Sequence, residues 1–221
     1  MRKVLRENGL SITLFFLFFA TFLVGQTVAG HREYNADQEE HKQPTVSYTA
    51  YLRTAHFGEA TFENWESEFL QMGMYVVLTA ILFQKGSAES KKLDEEEPTD
   101  EDPRENVRPD SPWPVKSGGV ALKVYEHSLS IALFTMFALS LLLHAWTGAH
   151  EYSNEQLQHG SPGIGMWGYM TTSRFWFESF QNWQSEFLAV AAIVVLTIFL
   201  RQRGSAESKP VAAPHAMTGT G

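Results

Sequence analysis

The 221-residue sequence contains no cysteine, which excludes disulfides, thiolate nucleophiles, iron–sulfur clusters and cysteine-ligated zinc. It is also short of positive charge. Its formal net charge is −8, so it lacks the basic face that a nucleic-acid partner requires. The GxSxG, HExxH and Walker patterns of common enzymes are missing as well. A glycine-rich run at 163–168 follows Pro162 in a loop and is interpreted as a turn, not as a phosphate cradle. We therefore predict a non-enzymatic protein, and no cofactor is predicted.

Four stretches without formal charge predict membrane-spanning helices. The two longest, 8–30 and 127–150, exceed the roughly 20 helical residues that cross a hydrocarbon core. The first could also be a signal peptide, but the matching stretch in mid-chain favours a retained span. The shorter stretches, 69–84 and 187–200, reach that length only if their helices begin upstream. For these two, the alternative is a buried helix of a soluble protein. The predicted spans lie at about 9–30, 65–84, 127–148 and 183–201.

The chain is a tandem duplication. Residues 64–91 and 182–209 are identical at 18 of 28 positions without a gap, and both segments end in Gly-Ser-Ala-Glu-Ser-Lys. Each repeat would form a hairpin of two spans, so the two repeats would be parallel and related by a pseudo-twofold axis along the membrane normal. A single hairpin cannot bury both of its faces, so the two should pack as a four-helix bundle. The predicted fold is an all-α membrane protein of two parallel hairpins with amphipathic outer helices.

This pattern divides the chain into four parts. They are repeat 1 (1–92, outer loop 31–64), a linker (93–117), repeat 2 (118–209, outer loop 149–182) and a tail (210–221). The linker is acidic and rich in proline, which is typical of disorder. The tail is predicted to be disordered as well.

Lysine and arginine set the predicted orientation. Of the 17 such residues, the two outer loops contain only four, which are Arg32, Lys42, Arg53 and Arg174. Positive charge concentrates on the cytoplasmic side of membrane proteins. Both termini and the linker are therefore predicted to be cytoplasmic, and both outer loops external.

The residues that the two repeats share before the second and fourth spans recur with the period of an α-helix. The repeat pairs Tyr51 with Tyr169, Asn64 with Asn182, and Trp65 with Trp183. Nearly all the residues shared between 48–69 and 166–187 fall on one helical face, which is aromatic. We predict an amphipathic helix that runs into each span, continuously or with a bend near Gly58. Its aromatic face would pack on the bundle or lie in the outer interface.

Glu68 and Glu186 are a candidate carboxylate pair. They stand at the predicted outer edge of the hydrocarbon, where a carboxylate is costly and often functional. The pseudo-twofold could bring them together to share a proton or hold a cation, with Asn64, Asn182, Trp65 and Trp183 as supporting residues. The interpretation that both lie among lipid headgroups, or cap a helix bend, is favoured over a functional pair.

A second candidate cluster lies just beyond the first and third spans. His31, Glu33, His150 and Glu151 are matched by the repeat and could build an external metal or haem site. The alternative is that these histidines are surface residues or helix caps.

The paired Asn-Trp-x-Ser-Glu-Phe-Leu motifs and the Gly-Ser-Ala-Glu-Ser-Lys endings resemble an uncharacterised bacterial family of small integral membrane proteins, a domain of unknown function. The resemblance covers nearly the whole chain. It implies four spans in a bacterial inner membrane. It implies no activity, and it transfers no functional residue.

Three functions remain open. The repeat preserves aromatic and interfacial residues, which favours a non-enzymatic envelope protein that binds lipid or a membrane partner protein through its outer helices. The first alternative is a proton or cation transporter or channel that uses Glu68 and Glu186. Four spans are few for a transporter, so it would require a homodimer. The second alternative is a metal- or haem-binding protein that uses His31 and His150.

Overall fold

The computed structural model describes residues 2–219, and these residues contain no strand. α1 (Arg2–Thr21), a π-helical segment (Phe22–Ala29) and α2 (Gly30–Glu40) follow one another without a loop. α1 is kinked at Asn8, where φ is −127° and ψ is 16°. The other helices are α3 (Tyr48–Tyr51), α4 (Ala55–Ile81), α5 (Trp113–Ser117), α6 (Gly119–Glu126), α7 (Ser128–Gln158), α8 (Met166–Tyr169) and α9 (Ser173–Phe199). The prediction of an all-helical protein is confirmed over the described chain.

Within residues 2–219, three helical stretches are long and apolar enough to cross a membrane: Lys3–Glu40, Ser128–Gln158 and Ser173–Phe199. They contain the predicted first span and nearly all of the predicted third and fourth spans. Helix α4 is also long, with 27 residues, but its N-terminal half carries Glu59, Glu63, Glu66 and Glu68. Its apolar part therefore begins only at Phe69, and the second span stays a prediction.

The first helical stretch departs from regular geometry in its π-helical segment. There Thr27 is buried, and its hydroxyl donates to the Leu23 carbonyl oxygen at 2.6 Å. The same hydroxyl lies 2.8 Å from the Tyr48 hydroxyl. Wide π-helical turns often mark positions with a specific packing or functional role. Here the contact between Thr27 and Tyr48 joins α3 to the π-helical segment.

The predicted outer helices are interrupted before α4 and α9, not at Gly58, which lies inside α4. Thr54 explains the break. Its hydroxyl donates to the Tyr51 carbonyl oxygen at 2.7 Å and accepts from the Phe57 amide at 3.2 Å. Thr172 makes the equivalent bonds before α9, at 2.7 and 3.3 Å. A threonine that accepts an amide in this way ends one turn and starts the next helix.

The chain divides into two compact units. Unit 1 is Met1–Glu63 with Leu142–Phe175, and unit 2 is Asn64–Leu141 with Trp176–Gly221. Each unit therefore takes segments from both predicted repeats, and α4, α7 and α9 contribute residues to both units.

The predicted linker and tail both make contacts within unit 2. Lys91 pairs with Asp100 of the linker at 2.6 Å. The Lys209 ammonium is fully buried and donates to the carbonyl oxygens of Gly86, Ile198, His215 and Met217. A buried ammonium requires such acceptors. Two of them, His215 and Met217, belong to the tail, so these hydrogen bonds hold the tail against Lys209. Residues 220–221 lie outside the described chain.

Candidate functional site

The sequence-predicted carboxylates Glu68 and Glu186 both lie in unit 2, within electrostatic range of each other. Glu68 is exposed and Glu186 is half-buried. Among their expected supporting residues, the Asn182 side-chain amide donates to the Glu178 carbonyl oxygen at 3.3 Å, and the Trp183 indole nitrogen donates to Glu66 at 2.9 Å. The Asn64 backbone carbonyl oxygen accepts from the Ser67 hydroxyl at 2.8 Å. Trp65 is half-buried.

The buried carboxylate of unit 2 is Glu66. It is completely inaccessible to solvent, and its Oε1 accepts from the Trp183 indole nitrogen at 2.9 Å. A charged or polar group buried in this way is stable only when it is hydrogen-bonded. The sequence analysis missed Glu66 because it took its candidate carboxylates from positions that are identical in the two repeats. The repeat pairs Glu66 with Gln184.

Tyr51 and Tyr169 are interior residues of unit 1. Each ring lies against a tyrosine that the repeat also matches, Tyr34 at 5.6 Å and Tyr152 at 5.7 Å, with an interplanar angle of 46° in both pairs. The predicted aromatic faces thus pack inward at these two positions. Their role is to fill the core of unit 1, and they are not available as an outer binding surface.

Among the described residues, no three donor atoms of the predicted histidine cluster lie within 4.8 Å of one another. His31 Nε2 lies 2.8 Å from the Val46 carbonyl oxygen and is occupied by that loop. His150 and Glu33 are exposed, and Glu151 is half-buried. In unit 1, the donor atoms of the buried side chains His144 and Glu59 come within 4.8 Å of each other.

Glu59 and His144 occupy facing positions on α4 and α7. The two helices approach closely because glycine lies at the contact. A Cβ added at Gly58 would lie 2.6 Å from Thr147 Cγ2, and one added at Gly148 would lie 2.9 Å from Glu59 Oε1. The Tyr169 hydroxyl donates to Glu59 Oε1 at 3.2 Å.

The His144 ring is enclosed by aromatic neighbours. Its centroid lies 5.0 Å from the Phe175 ring and 6.5 Å from the Tyr169 ring. The repeat pairs His144 with Gly25, and Glu59 with Phe177. At each of these two positions, one repeat has an ionisable side chain where the other has none, and that difference was the available signal.

A further polar group lies in unit 2, beside a cavity of about 670 Å³. The Tyr75 hydroxyl donates to Glu89 Oε2 at 2.5 Å. Burial raises the pKa of Glu89, and the carboxylate of Glu207 adds to that rise, while the bond from Tyr75 opposes it. The repeat pairs Glu89 with Glu207, both in Gly-Ser-Ala-Glu-Ser-Lys segments.

No curated protein and no solved structure matches this chain. One family model does match, and it covers residues 1–220. The chain therefore belongs to the family described as Domain of unknown function (DUF6766).

Proposed function

We propose that this protein is a four-span integral membrane protein of the bacterial cytoplasmic membrane that binds lipid through an aromatic cluster on α9. The cluster consists of Trp176, Phe180 and Trp183. The Trp176 and Phe180 rings are 5.5 Å apart, and the Phe180 and Trp183 rings are 5.3 Å apart. Trp176 is 39% and Phe180 is 55% exposed. This mutually packed cluster on an apolar helix, in which Trp176 and Phe180 are exposed and Trp183 is half-buried, is the observation that carries the proposal.

The position of the cluster along α9 favours lipid as its ligand. At 1.5 Å per residue, a 27-residue helix is about 40 Å long, whereas the hydrocarbon core is about 30 Å thick. The first turns of α9 would then lie at the headgroup level, where tryptophan is enriched. Farther along, exposed Leu188 and Leu196 are suited to acyl chains.

Lipid retention tests the proposal. We expect the full-length chain, purified gently from its native membranes, to retain phospholipid that is counted by mass spectrometry. The Trp176→Ala/Phe180→Ala variant should lose most of it. Trp113→Ala, which removes an exposed tryptophan of the linker, is the matched control and should retain it. Unchanged retention in the double variant would contradict lipid binding, and loss of a co-purifying protein instead would indicate a partner protein.

Proton or cation transfer by Glu68 and Glu186 is the second candidate function. The observation in its favour is that the two carboxylates lie within electrostatic range of each other. If it is correct, Glu68→Gln/Glu186→Gln should abolish ion flux into liposomes, while Glu39→Gln, at an exposed position, should not. Unaltered flux in the double variant would exclude this function.

A further inference from the structure

We propose that Glu59 and His144 form a binding site for a divalent first-row transition-metal ion such as Zn²⁺, within unit 1. This site differs in every residue from the predicted histidine cluster. It is independent of lipid binding by α9.

The first argument is burial. Glu59 is 8% exposed, and His144 and Tyr169 are 0% exposed. His144 lies on a helix that is apolar enough to cross a membrane. Ionisable side chains inside such helices are costly and are retained mainly where they serve a function. A carboxylate and an imidazole buried together therefore require an explanation beyond packing.

The second argument is geometry. Zinc holds histidine nitrogen and carboxylate oxygen at about 2.0–2.2 Å, so two ligand atoms on one ion lie about 3–4 Å apart. The Glu59 and His144 donor atoms lie within 4.8 Å of each other, so a small side-chain rotation closes them on one ion. Gly148 keeps this space open, because a Cβ there would lie 2.9 Å from Glu59 Oε1.

The third argument is ligand chemistry. Imidazole with carboxylate is a donor pair that zinc, iron and manganese accept, whereas calcium and magnesium prefer oxygen alone. The Tyr169 hydroxyl donates to Glu59 at 3.2 Å, as the outer partner of a metal ligand does. Water would complete the coordination.

Direct metal binding tests the site. The full-length chain in detergent micelles is loaded with Zn²⁺, dialysed and analysed for metal, and it is loaded separately with Co²⁺ for an absorption spectrum. We expect one ion per chain and a cobalt spectrum with nitrogen and oxygen ligands. Glu59→Gln and His144→Gln should each abolish stoichiometric binding. Tyr169→Phe should weaken it by about 10- to 100-fold.

His150→Gln is the matched control, because it removes an exposed histidine from the same helix and should leave binding unchanged. Circular dichroism of each variant separates loss of the site from loss of the fold. If His144→Gln does not fold, Glu59→Gln alone decides the question. Absence of stoichiometric metal in the wild-type chain would overturn the proposal. Binding that survives Glu59→Gln in the folded protein would overturn it as well.

Discussion

Single glycines determine how closely the tyrosine rings of unit 1 approach the helices. A Cβ at Gly30 would lie 2.4 Å from the Tyr51 hydroxyl oxygen, and one at Gly148 would lie 2.5 Å from Tyr169 Cε1. The repeat pairs the two tyrosines, and each glycine stands 21 residues before its tyrosine. The same small-residue contact is therefore used twice within unit 1, and neither position can accept even a methyl group without movement of the ring.

We expect Gly148→Ala to destabilise the protein by about 1–3 kcal/mol, because the added methyl group would overlap both Tyr169 and Glu59. Gly9→Ala is the matched control, since no atom lies within 4 Å of its added Cβ. Thermal unfolding in detergent, followed by circular dichroism, measures both. Equal unfolding temperatures for the two variants would show that the contact at Gly148 is not tight.

At the scale of elements, the two Gly-Ser-Ala-Glu-Ser-Lys segments show that identical sequences adopt the same local backbone structure. Gly86 and Gly204 have φ angles of 86° and 85°, in the left-handed region that favours glycine. Ser90 and Ser208 each accept a backbone amide six residues earlier, at 2.9 Å. The identical sequences thus form identical turns.

The surroundings of the two segments differ, and Glu89 gives a measurable consequence. Its raised pKa means that the folded state favours the protonated carboxyl group. Its contribution to stability is therefore fully present below its unfolded pKa of about 4.3, and it is lost as the pH rises through the raised value. We expect Glu89→Gln to remove this loss, so that the stability of the variant falls less than that of the wild type between about pH 4 and about pH 8.

Thermal unfolding at the two pH values measures this difference. Glu105→Gln, at an exposed position of the linker, serves as the control and should behave as the wild type does. Parallel curves for Glu89→Gln and wild type would show that Glu89 titrates normally in the folded protein.

At the scale of the whole molecule, hydrophobic periodicity and stretch length predicted the all-helical fold and three of the apolar helices. The buried sites were harder to predict. Identity between the repeats directed attention to Glu68 and Glu186, whereas the carboxylates that are buried, Glu59 and Glu66, stand where the repeats differ. Burial depends on which helices meet, and a single sequence does not specify those contacts.

The predicted topology can be tested on the full chain. Because the sequence has no native cysteine, each substitution introduces a single reactive thiol. We expect a membrane-impermeant maleimide to label Thr45→Cys and His159→Cys in intact spheroplasts, since both positions lie in the predicted external loops. Asp94→Cys and Val211→Cys should react only after permeabilisation. Labelling of the last two in intact spheroplasts would reverse the proposed orientation.

The burial of Lys209 has a consequence for chemical modification. Amine-directed reagents acylate a lysine only when its nitrogen is accessible and can lose a proton. The Lys209 nitrogen is enclosed by four carbonyl oxygens, whereas its repeat counterpart Lys91 is half-buried and pairs with a linker carboxylate. An acylation time course read by peptide mass spectrometry would thus report on the closure of the tail over unit 2, with Lys209 reacting last and only when the tail opens.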